Sequence, residues 1–212
     1  MSLSDSEFFT GLIRERKGIE GKIRSSASDG RRIPIIRDDT ATLLEILVSQ
    51  KKPEKILEFG TAIGYSAIIM AKASDCVKSI DTVEIDPDMV IEARKNIENA
   101  SLSNIIHVIA GDAAEVASCL SGSYDMIFLD SAKSQYVRMY EDLKRLLPKG
   151  GLLVCDNVIY YGKVYDEPEN SPHQQRTIVA NMRDFLKQMC EDEEMRSVIA
   201  DVGDGLAISE KL

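Results

Sequence analysis

Short apolar segments alternate with longer amphipathic segments along most of the chain after residue 54. The short segments predict strands, because each covers a few residues and ends in Gly, Asp or Asn. The longer segments repeat apolar residues every three or four positions, which is typical of helices packed on a sheet. The predicted strands are residues 55–60, 79–86, 104–112, 124–130 and 150–157, and the predicted helices are residues 64–73, 87–100, 113–120, 134–147 and 174–190.

Five strand–helix repeats in succession predict an α/β fold. Such repeats place parallel strands in one sheet with helices on both faces. The last segment, residues 195–211, has two apolar runs around Gly203, Asp204 and Gly205, and this predicts an antiparallel hairpin. We therefore predict a Rossmann-like, mostly parallel seven-stranded sheet that ends in an antiparallel hairpin.

The segment before the first strand has a different pattern. Residues 4–24 have helical spacing, residues 25–30 have the composition of a loop, and residues 38–50 have a second helical pattern. We therefore divide the chain into a helical arm, residues 1–37, and a main domain, residues 38–212.

Basic residues are concentrated in the arm. It holds eight Lys and Arg against five acidic residues, whereas the rest of the chain holds 18 against 30. The arm either contacts a polyanion such as RNA or forms a solvated helix face with alternating charges, and both interpretations stay open. The net charge of −9 argues against general nucleic-acid binding.

The cysteine and histidine content does not favour a zinc site. The four cysteines form no CxxC pair, and the two histidines are His107 in a predicted strand and His173 in a predicted loop. Reduced thiols fit a cytoplasmic protein. No run of 18 apolar residues predicts a membrane span, and the N-terminus lacks a secretory pattern. We therefore expect a cytoplasmic protein that does not cross a membrane.

Acidic or amide side chains occur at the end of every strand in the alternating region. The carboxyl ends of parallel strands meet at one edge of the sheet, where ligands bind in this class of fold. One Asp at such a position is a common turn former, but five strand ends together indicate a ligand site. The residues at these ends are Glu58, Gly60, Glu84, Asp86, Gly111, Asp112, Asp130, Asp156 and Asn157.

The turn after the first strand, EFGTAIGYS, allows close approach of the backbone to a ligand. Gly60 and Gly64 permit a tight turn, although a glycine-rich turn alone is weak evidence. Tyr65 stands where a dinucleotide-binding turn has its third glycine, so an NAD-dependent oxidoreductase on the same fold is the weaker alternative. No GxxxxGK[ST] motif indicates a phosphate-binding loop.

Acidic residues beside this turn predict a nucleoside pocket. Glu84, 24 residues after Gly60, is placed to accept the ribose hydroxyls. Asp112 either contacts adenine or caps the next helix. An acidic pocket without a phosphate loop suits S-adenosylmethionine, whose sulfonium a nearby carboxylate such as Glu58 or Asp130 stabilises. A non-catalytic nucleoside-binding protein is a further alternative.

Six segments together resemble one enzyme family: ILEFGTAIGYSAI, VEIDP, AGDA, YDMIFLDSAKSQY, CDNVIYYGKV and VGDGLAIS. They occur in the order typical of the cation-dependent class I O-methyltransferases, which include catechol and caffeoyl-CoA O-methyltransferases, and the resemblance covers about residues 30–212. GTAIGYSAI, TIVANM and VGDGLAIS look most like the bacterial tRNA 5-hydroxyuridine methyltransferases, where Ala62 also replaces the middle glycine. The resemblance implies cofactor binding by Ile36, Glu58, Gly60, Ser66, Glu84, Asp112, Ala113 and Asp130.

Asp130, Asp156 and Asn157 are the predicted metal ligands. Adjacent strands lie about 4.8 Å apart, so both carboxylates are within reach of one ion. Two carboxylates and an amide oxygen suit Mg²⁺, with Mn²⁺ or Ca²⁺ as substitutes, and the resemblance implies this role. A helix cap at Asp130 and a turn at Asp156 and Asn157 are the simpler alternative. Lys133 matches the family's catalytic lysine and is the predicted general base, with an ordinary surface lysine at a helix start as the weaker alternative.

A metal that binds the substrate needs two adjacent oxygens. A catechol has them, and so does 5-hydroxyuridine at the tRNA wobble position. The resemblance and the basic arm favour the tRNA anticodon loop, with a small catechol-type substrate as the alternative. The family also implies a homodimer. Candidate substrate contacts are Tyr160, Tyr161, Arg176 and Arg183, of which the two arginines are alternatively ordinary charges on a helix surface.

Overall fold

One mixed sheet of seven strands forms the centre of the computed structural model, which describes residue 8, residues 11–30 and residues 33–212. The strand order is β3-β2-β1-β4-β5-β7-β6. The strands are β1 (Lys55–Phe59), β2 (Ser79–Glu84), β3 (Ile106–Ala110), β4 (Met126–Leu129), β5 (Leu152–Cys155), β6 (Met195–Ala200) and β7 (Leu206–Lys211).

Helices connect the parallel strands and cover both faces of the sheet. Three short 3₁₀ turns, Lys133–Gln135, Lys163–Tyr165 and Pro168–Asn170, lie near the ends of β4 and β5 in the chain. The α-helices that lie wholly within the described residues are α1 (Gly18–Ser28), α2 (Asp38–Lys51), α3 (Tyr65–Ala73), α4 (Pro87–Asn99), α5 (Ala113–Cys119), α6 (Tyr136–Leu146) and α7 (His173–Glu191).

The predicted fold class is confirmed. Strands β1 to β5 pair in parallel, and β7 pairs antiparallel with both β5 and β6. The sheet grows from β1 in two directions, through β2 and β3 on one side and through β4 and β5 on the other. Such a reversal opens a crevice at the carboxyl ends of β1 and β4, which is where ligands bind in doubly wound sheets.

Each face of the sheet has its own hydrophobic core. Successive side chains of a strand point to opposite faces, and in β4 Phe128 packs with one cluster while Leu129 packs with the other. The first cluster includes Leu44 of α2 and Ile68 of α3. The second includes Phe185 of α7, which makes edge-to-face contacts with Tyr136 and Tyr140 of α6. The helices packed on both faces of the sheet thus hold the ends of β4 and β5 in position.

The prediction for the N-terminal segment is confirmed only in part within the described residues, where residues 18–24 and 38–50 are helical as expected. Residues 11–17 are not helical, and α1 instead extends through residues 25–28, which were expected to form a loop. Gly18 has a left-handed φ of 64°, which prevents a regular helix from running through it. The serine-rich end is helical because Ile23 and Ala27 of the same helix are buried in the core, while the hydroxyls of Ser25 and Ser28 donate to the carbonyls four residues earlier. Residues 4–7, 9 and 10 lie outside the described part.

Several predicted boundaries also shift by one or two residues. The strands are shorter than expected at their polar ends, and His173 begins α7 rather than lying in a loop. The separation of the arm from the main domain stays a prediction, although Ile23 and Ile36 are buried in the same cluster as sheet residues. No helix within the described residues is long and apolar enough to cross a membrane.

Candidate active site

A cavity of about 950 Å³ opens at the carboxyl ends of the parallel strands. Its walls come from the turns after β1, β2, β3, β4 and β5, from residues 34–37 before α2, and from the turn between β6 and β7. This volume is at the upper end of the range for pockets that hold drug-sized ligands. The cavity has two ends, called here the glycine-turn end (Gly60, Glu84 and Asp112) and the carboxylate end (Asp130, Asp156 and Asn157).

Gly60 brings the two ends close together. Its φ is 104°, and a Cβ at this position would collide with the backbone carbonyl oxygen of Asp130. The turn is also tied to β2, because the amides of Gly60 and Thr61 donate to Val83 O at 3.0 and 3.2 Å. Ala62 adopts a φ of 44°, which is unusual for a residue with a Cβ. The backbone of this turn is therefore held against β2 and the end of β4.

Glu84 is oriented by the backbone around it. Its Oε2 accepts from the Ala62 amide at 2.8 Å, and its Oε1 accepts from the amides of Ile85 and Asp86 at 2.9 Å each. A carboxylate has roughly four acceptor sites, so three are used and about one remains for a ligand hydroxyl. The carboxylate lines the cavity in a fixed orientation.

Asp112 caps α5, as one of the two interpretations of the sequence proposed. Its Oδ1 accepts from the amides of Ala114 and Glu115 at 3.0 and 3.2 Å, and its Oδ2 accepts from Gln135 Nε2 at 2.8 Å. The bond from Gln135 is the main reason why the pKa of Asp112 is lower than usual, and the backbone bonds add to it. Asp112 and Ala113 also line the cavity, and a contact with adenine stays a prediction.

Glu58 lies beneath the cavity rather than in its wall. The side chain is fully buried, and its Oε2 accepts from the Thr82 hydroxyl at 2.5 Å. Burial raises the pKa of Glu58 to about 7, although the hydroxyls of Ser66 and Thr82 partly offset the effect. Every other residue predicted to bind the cofactor lines the cavity: Ile36, Gly60, Ser66, Glu84, Asp112, Ala113 and Asp130.

The carboxylate end brings together four residues that the sequence singled out. Lys133 Nζ lies 2.8 Å from Asp130 Oδ1 and 2.8 Å from Asn157 Oδ1. Asp156 is buried, and its pKa is raised to about 7 by burial and by the nearby charge of Asp130. Tyr136 supports the end of both strands, because its hydroxyl is bonded to Leu129 O at 3.1 Å and to Asp156 O at 3.3 Å.

These donors fit a small divalent cation. Two carboxylates and an amide oxygen form an all-oxygen set, and Mg²⁺ is commonly held by one or two carboxylates together with water. The Lys133 ammonium contacts side-chain oxygens of both Asp130 and Asn157, so these two oxygens already bind a positively charged group. Within the described residues no group of three or more His, Cys, Asp or Glu is placed to hold a metal. The predicted set has two such residues and an Asn, so its metal role stays a prediction.

The candidate substrate contacts divide into two groups. Tyr161 lines the cavity and is 80% exposed. The arginines instead bind backbone carbonyls: Arg183 donates to Val164 O and Asp166 O at 3.2 and 2.8 Å, and Arg176 donates to Ser171 O at 3.1 Å. Their positions have a structural explanation, so we do not assign them to a ligand.

Sequence reasoning missed the part of the wall that comes from distant segments. Asp204, Tyr165 and Gln135 all line the cavity. Asp204 lies in the Gly-Asp-Gly turn, which indicated only a hairpin by its composition. Its Oδ1 accepts from the Tyr161 amide at 2.6 Å, a contact between residues 43 positions apart in the chain. Local spacing does not reveal such a contact.

A mostly parallel sheet with a cavity at its reversal point defines a Rossmann-like protein. The family model described as O-methyltransferase matches residues 21–212. The chain therefore belongs to the O-methyltransferase family, and the predicted family is confirmed.

Relatives with assigned substrates are similar to part of the chain. It is 38% identical to the catechol O-methyltransferase of Niastella koreensis over 133 residues, which cover 61% of this chain and 60% of that enzyme. It is 28% identical to the catechol O-methyltransferase of Mycobacterium tuberculosis, over 69% of this chain and 68% of that one. The chain thus spans about 60% of the length of the first relative.

Solved structures match the whole fold. A Staphylococcus aureus protein described provisionally as a caffeoyl-CoA O-methyltransferase has a TM-score of 0.88 and 30% identity, covering 97% of this chain and 98% of that one. An O-methyltransferase from Bacillus cereus, in complex with SAH, has a TM-score of 0.84 and 22% identity, over 97% and 96% of the two chains. The second likeness supports the fold alone.

Proposed function

We propose that the protein transfers a methyl group from S-adenosylmethionine to one hydroxyl of a small aromatic substrate with two adjacent oxygens, such as a catechol or a caffeoyl-type phenol. The observation that supports this best is the carboxylate end, where Asp130, Asn157 and Lys133 meet beside the buried Asp156. The family membership and the names of the relatives support the reaction and this substrate class.

The glycine-turn end suits the adenosine part of the cofactor. Gly60 lines the cavity where its backbone packs against the Asp130 carbonyl, and the Glu84 carboxylate is oriented by the Ala62 amide and can accept a ribose hydroxyl. S-adenosylmethionine carries its electrophilic methyl group on a positively charged sulfonium. The negative charge of Asp130 at this part of the cavity would stabilise that sulfonium. The neighbouring Ser66 and Ile36 complete this side of the cavity.

Asp130, Asp156 and Asn157 are the residues that would hold a divalent metal, preferably Mg²⁺ with Mn²⁺ or Ca²⁺ as substitutes. Such an ion would lower the pKa of the substrate hydroxyl and fix the direction of its oxygen. The fixed placement of two adjacent oxygens removes much of the entropic barrier to an in-line transfer.

Lys133 is the proposed general base. Its Nζ contacts two of the oxygens that would bind the cation, so it lies beside the place where the substrate hydroxyl would be. In its neutral form it would take the hydroxyl proton, while S-adenosylmethionine would supply the methyl group to the hydroxyl oxygen, with its sulfur as the leaving group that keeps the carbon–sulfur electron pair.

The tRNA wobble uridine is the second candidate substrate, and the likeness of GTAIGYSAI and VGDGLAIS to the bacterial tRNA enzymes favours it. Part of the basic charge of the arm is used inside the protein, however. Arg16 pairs with Glu45 at 2.5 Å, and Arg24 pairs with Asp38 at 2.8 Å. These ion pairs reduce the charge that is free for RNA, so we prefer the small-molecule substrate. The homodimer and the cytoplasmic location stay predictions.

Methyl transfer from labelled S-adenosylmethionine tests the proposal. The purified protein is incubated with Mg²⁺ and, separately, with catechol, caffeate, caffeoyl-CoA and tRNA that lacks wobble methylation. We expect label in the catechol-type acceptors, loss of transfer with EDTA, and recovery when Mg²⁺ is added in excess. Label in tRNA alone would contradict the substrate class, and transfer that EDTA leaves unchanged would contradict the metal.

A further inference from the structure

The loop of residues 157–162, called here the mouth loop, has an unusual backbone. Tyr160, Tyr161 and Gly162 are three successive residues with left-handed φ angles of 50°, 56° and 79°, and Asn157 has a φ of 57°. Residues with a bulky side chain rarely adopt this conformation, and it normally occurs at single positions. Strained backbone of this kind persists where the surrounding structure holds it in place, and it is concentrated at functional sites.

The turn of residues 201–205 holds the mouth loop. The amides of Val158 and Ile159 donate to the carbonyl oxygens of Gly205 and Asp204 at 3.0 and 2.9 Å. The Tyr161 amide donates to the Asp204 carboxylate at 2.6 Å. The last bond reaches the left-handed part of the loop, and it is made by a side chain, so a substitution can remove it without changing the backbone of the turn.

The turn is itself fixed by close packing. The Gly203 amide donates to Asp39 Oδ2 at 3.2 Å, and a Cβ on Gly203 would collide with the Thr40 hydroxyl at the start of α2. A Cβ on Gly205 would collide with the side chain of Ile159 in the mouth loop. The turn is thus packed tightly between α2 and the mouth loop, and Asp204 is presented from a rigid support.

The mouth loop places an aromatic ring at the cavity. Tyr161 lines the cavity although its side chain is 80% exposed, and Tyr165, which is 70% exposed, lines it as well. Lys163 Nζ lies 5.8 Å from the centre of the Tyr161 ring, a distance that allows a cation–π contact. An exposed aromatic ring beside a cavity is suited to packing against a flat aromatic ligand.

We propose that Asp204 is a positioning residue for the acceptor substrate. Its carboxylate holds the strained Tyr161 backbone, and through it the Tyr161 ring forms the wall against which the aromatic ring of the substrate packs. Asp204 acts through Tyr161 and is not assigned as a metal ligand. The substrate class in this inference rests on the proposed function, whereas the link between Asp204 and Tyr161 is independent of it.

A fluorescence experiment tests that link without any substrate. The chain contains no Trp, so Tyr161→Trp introduces a single reporter at the cavity mouth. We expect the steady-state anisotropy of this tryptophan to fall when Asp204→Ala is added and to stay unchanged with Asp204→Asn, because the Asn carbonyl still accepts the amide bond. Anisotropy that is equal in all three proteins would overturn the link. Thermal unfolding of each variant checks that the fold is retained.

Kinetics on the chain with its native Tyr161 test the role in substrate binding. We expect Asp204→Ala to raise KM for the acceptor at least fivefold, with kcat and the Kd for S-adenosylhomocysteine within twofold, and Asp204→Asn to behave like the wild type. An unchanged KM in Asp204→Ala, or equal impairment in Asp204→Asn, would overturn the positioning role. If no catechol-type acceptor is methylated by the wild type, the proposed function fails, and the anisotropy result still decides the link between Asp204 and Tyr161.

Discussion

At the glycine-turn end of the cavity the Glu84 carboxylate accepts three backbone hydrogen bonds, whereas at the carboxylate end Asp130 lies close enough to Asp156 to raise its pKa. At the glycine-turn end, backbone amides of the protein already fill most of the hydrogen-bond acceptor sites of the Glu84 carboxylate. The carboxylate end gathers negative charge and draws Lys133 in to balance part of it. We infer that the glycine-turn end is preorganised for its ligand, while the carboxylate end reaches its working arrangement when a cation is bound.

Among the variants that distinguish the two ends of the cavity, Asp156→Ala is expected to have the largest effect on activity. Removal of this carboxylate should lower methyl transfer by about 100-fold or more, since loss of groups that merely support metal ligands already costs 10–100-fold. It should also abolish the rise in melting temperature that we expect Mn²⁺ or Mg²⁺ to produce in the wild type. Calorimetry with S-adenosylhomocysteine should give a Kd close to that of the wild type.

The exposed Glu193→Gln removes the same charge far from the cavity and serves as the matched control. A metal-induced rise in melting temperature that survives in Asp156→Ala would show that the cation binds elsewhere.

Glu58 beneath the cavity predicts a pH dependence of stability. Its folded-state pKa of about 7 lies above its usual value, because the buried side chain prefers to be protonated. The contribution of the protonated Glu58 to the free energy of unfolding is therefore fully present below about pH 4.3 and is lost as pH rises through 7. Glu58→Gln should remove up to about 3 kcal/mol of this decline in the free energy of unfolding. Urea unfolding of both proteins from pH 4.5 to 8.5 measures it, and parallel curves would contradict the assignment.

The contact between the two ends at Gly60 is tested by a pair of alanine substitutions. Gly60 and Gly122 both have a φ near 100°, but a Cβ would collide with Asp130 O at Gly60 and would meet no atom within 4 Å at Gly122. Backbone strain should therefore be similar in the two variants, and overpacking should cost Gly60→Ala about 1–3 kcal/mol more. Urea denaturation gives both values, and equal losses would show that the turn has room to move.

The smallest effect is expected from Glu84→Gln. The amide is nearly the same size, but it loses the charge-assisted bonds to the backbone amides and to a ribose hydroxyl, which is worth roughly tenfold in affinity for S-adenosylhomocysteine. Calorimetry measures the change, and the response to Mn²⁺ should stay as in the wild type. Loss of the Mn²⁺ response in this variant would mean that the two ends are coupled rather than separate.

The sequence identified the acidic residues at the strand ends of the cavity wall because strand ends carry a local signal. Glu84, Asp112, Asp130, Asp156 and Asn157 each follow an apolar run, and the parallel topology brings such ends to one edge. The N-terminal segment was harder, because serine composition predicted a loop where burial of Ile23 and Ala27 against the rest of the protein keeps α1 helical.

Glu58 shows what a strand pattern leaves open. It is one residue from the end of β1 and was expected near the cofactor sulfonium, yet its side chain lies beneath the cavity against Thr82. The direction of a side chain near a strand end depends on where the strand stops and on how its neighbour is aligned. Both are set by packing of the helices on the two faces.

The chain by itself therefore determined the order of strands and helices, the acidic strand ends and the family, because each depends on residues close together in the sequence. The tertiary structure decided which distant groups meet. The strand order β3-β2-β1-β4-β5-β7-β6 puts the ends of β4 and β5 side by side, so Lys133 contacts both Asp130 and Asn157. The antiparallel insertion of β7 next to β5 brings Asp204 to Tyr161. These contacts depend on the pairing of strands far apart in the chain, which no local periodicity encodes.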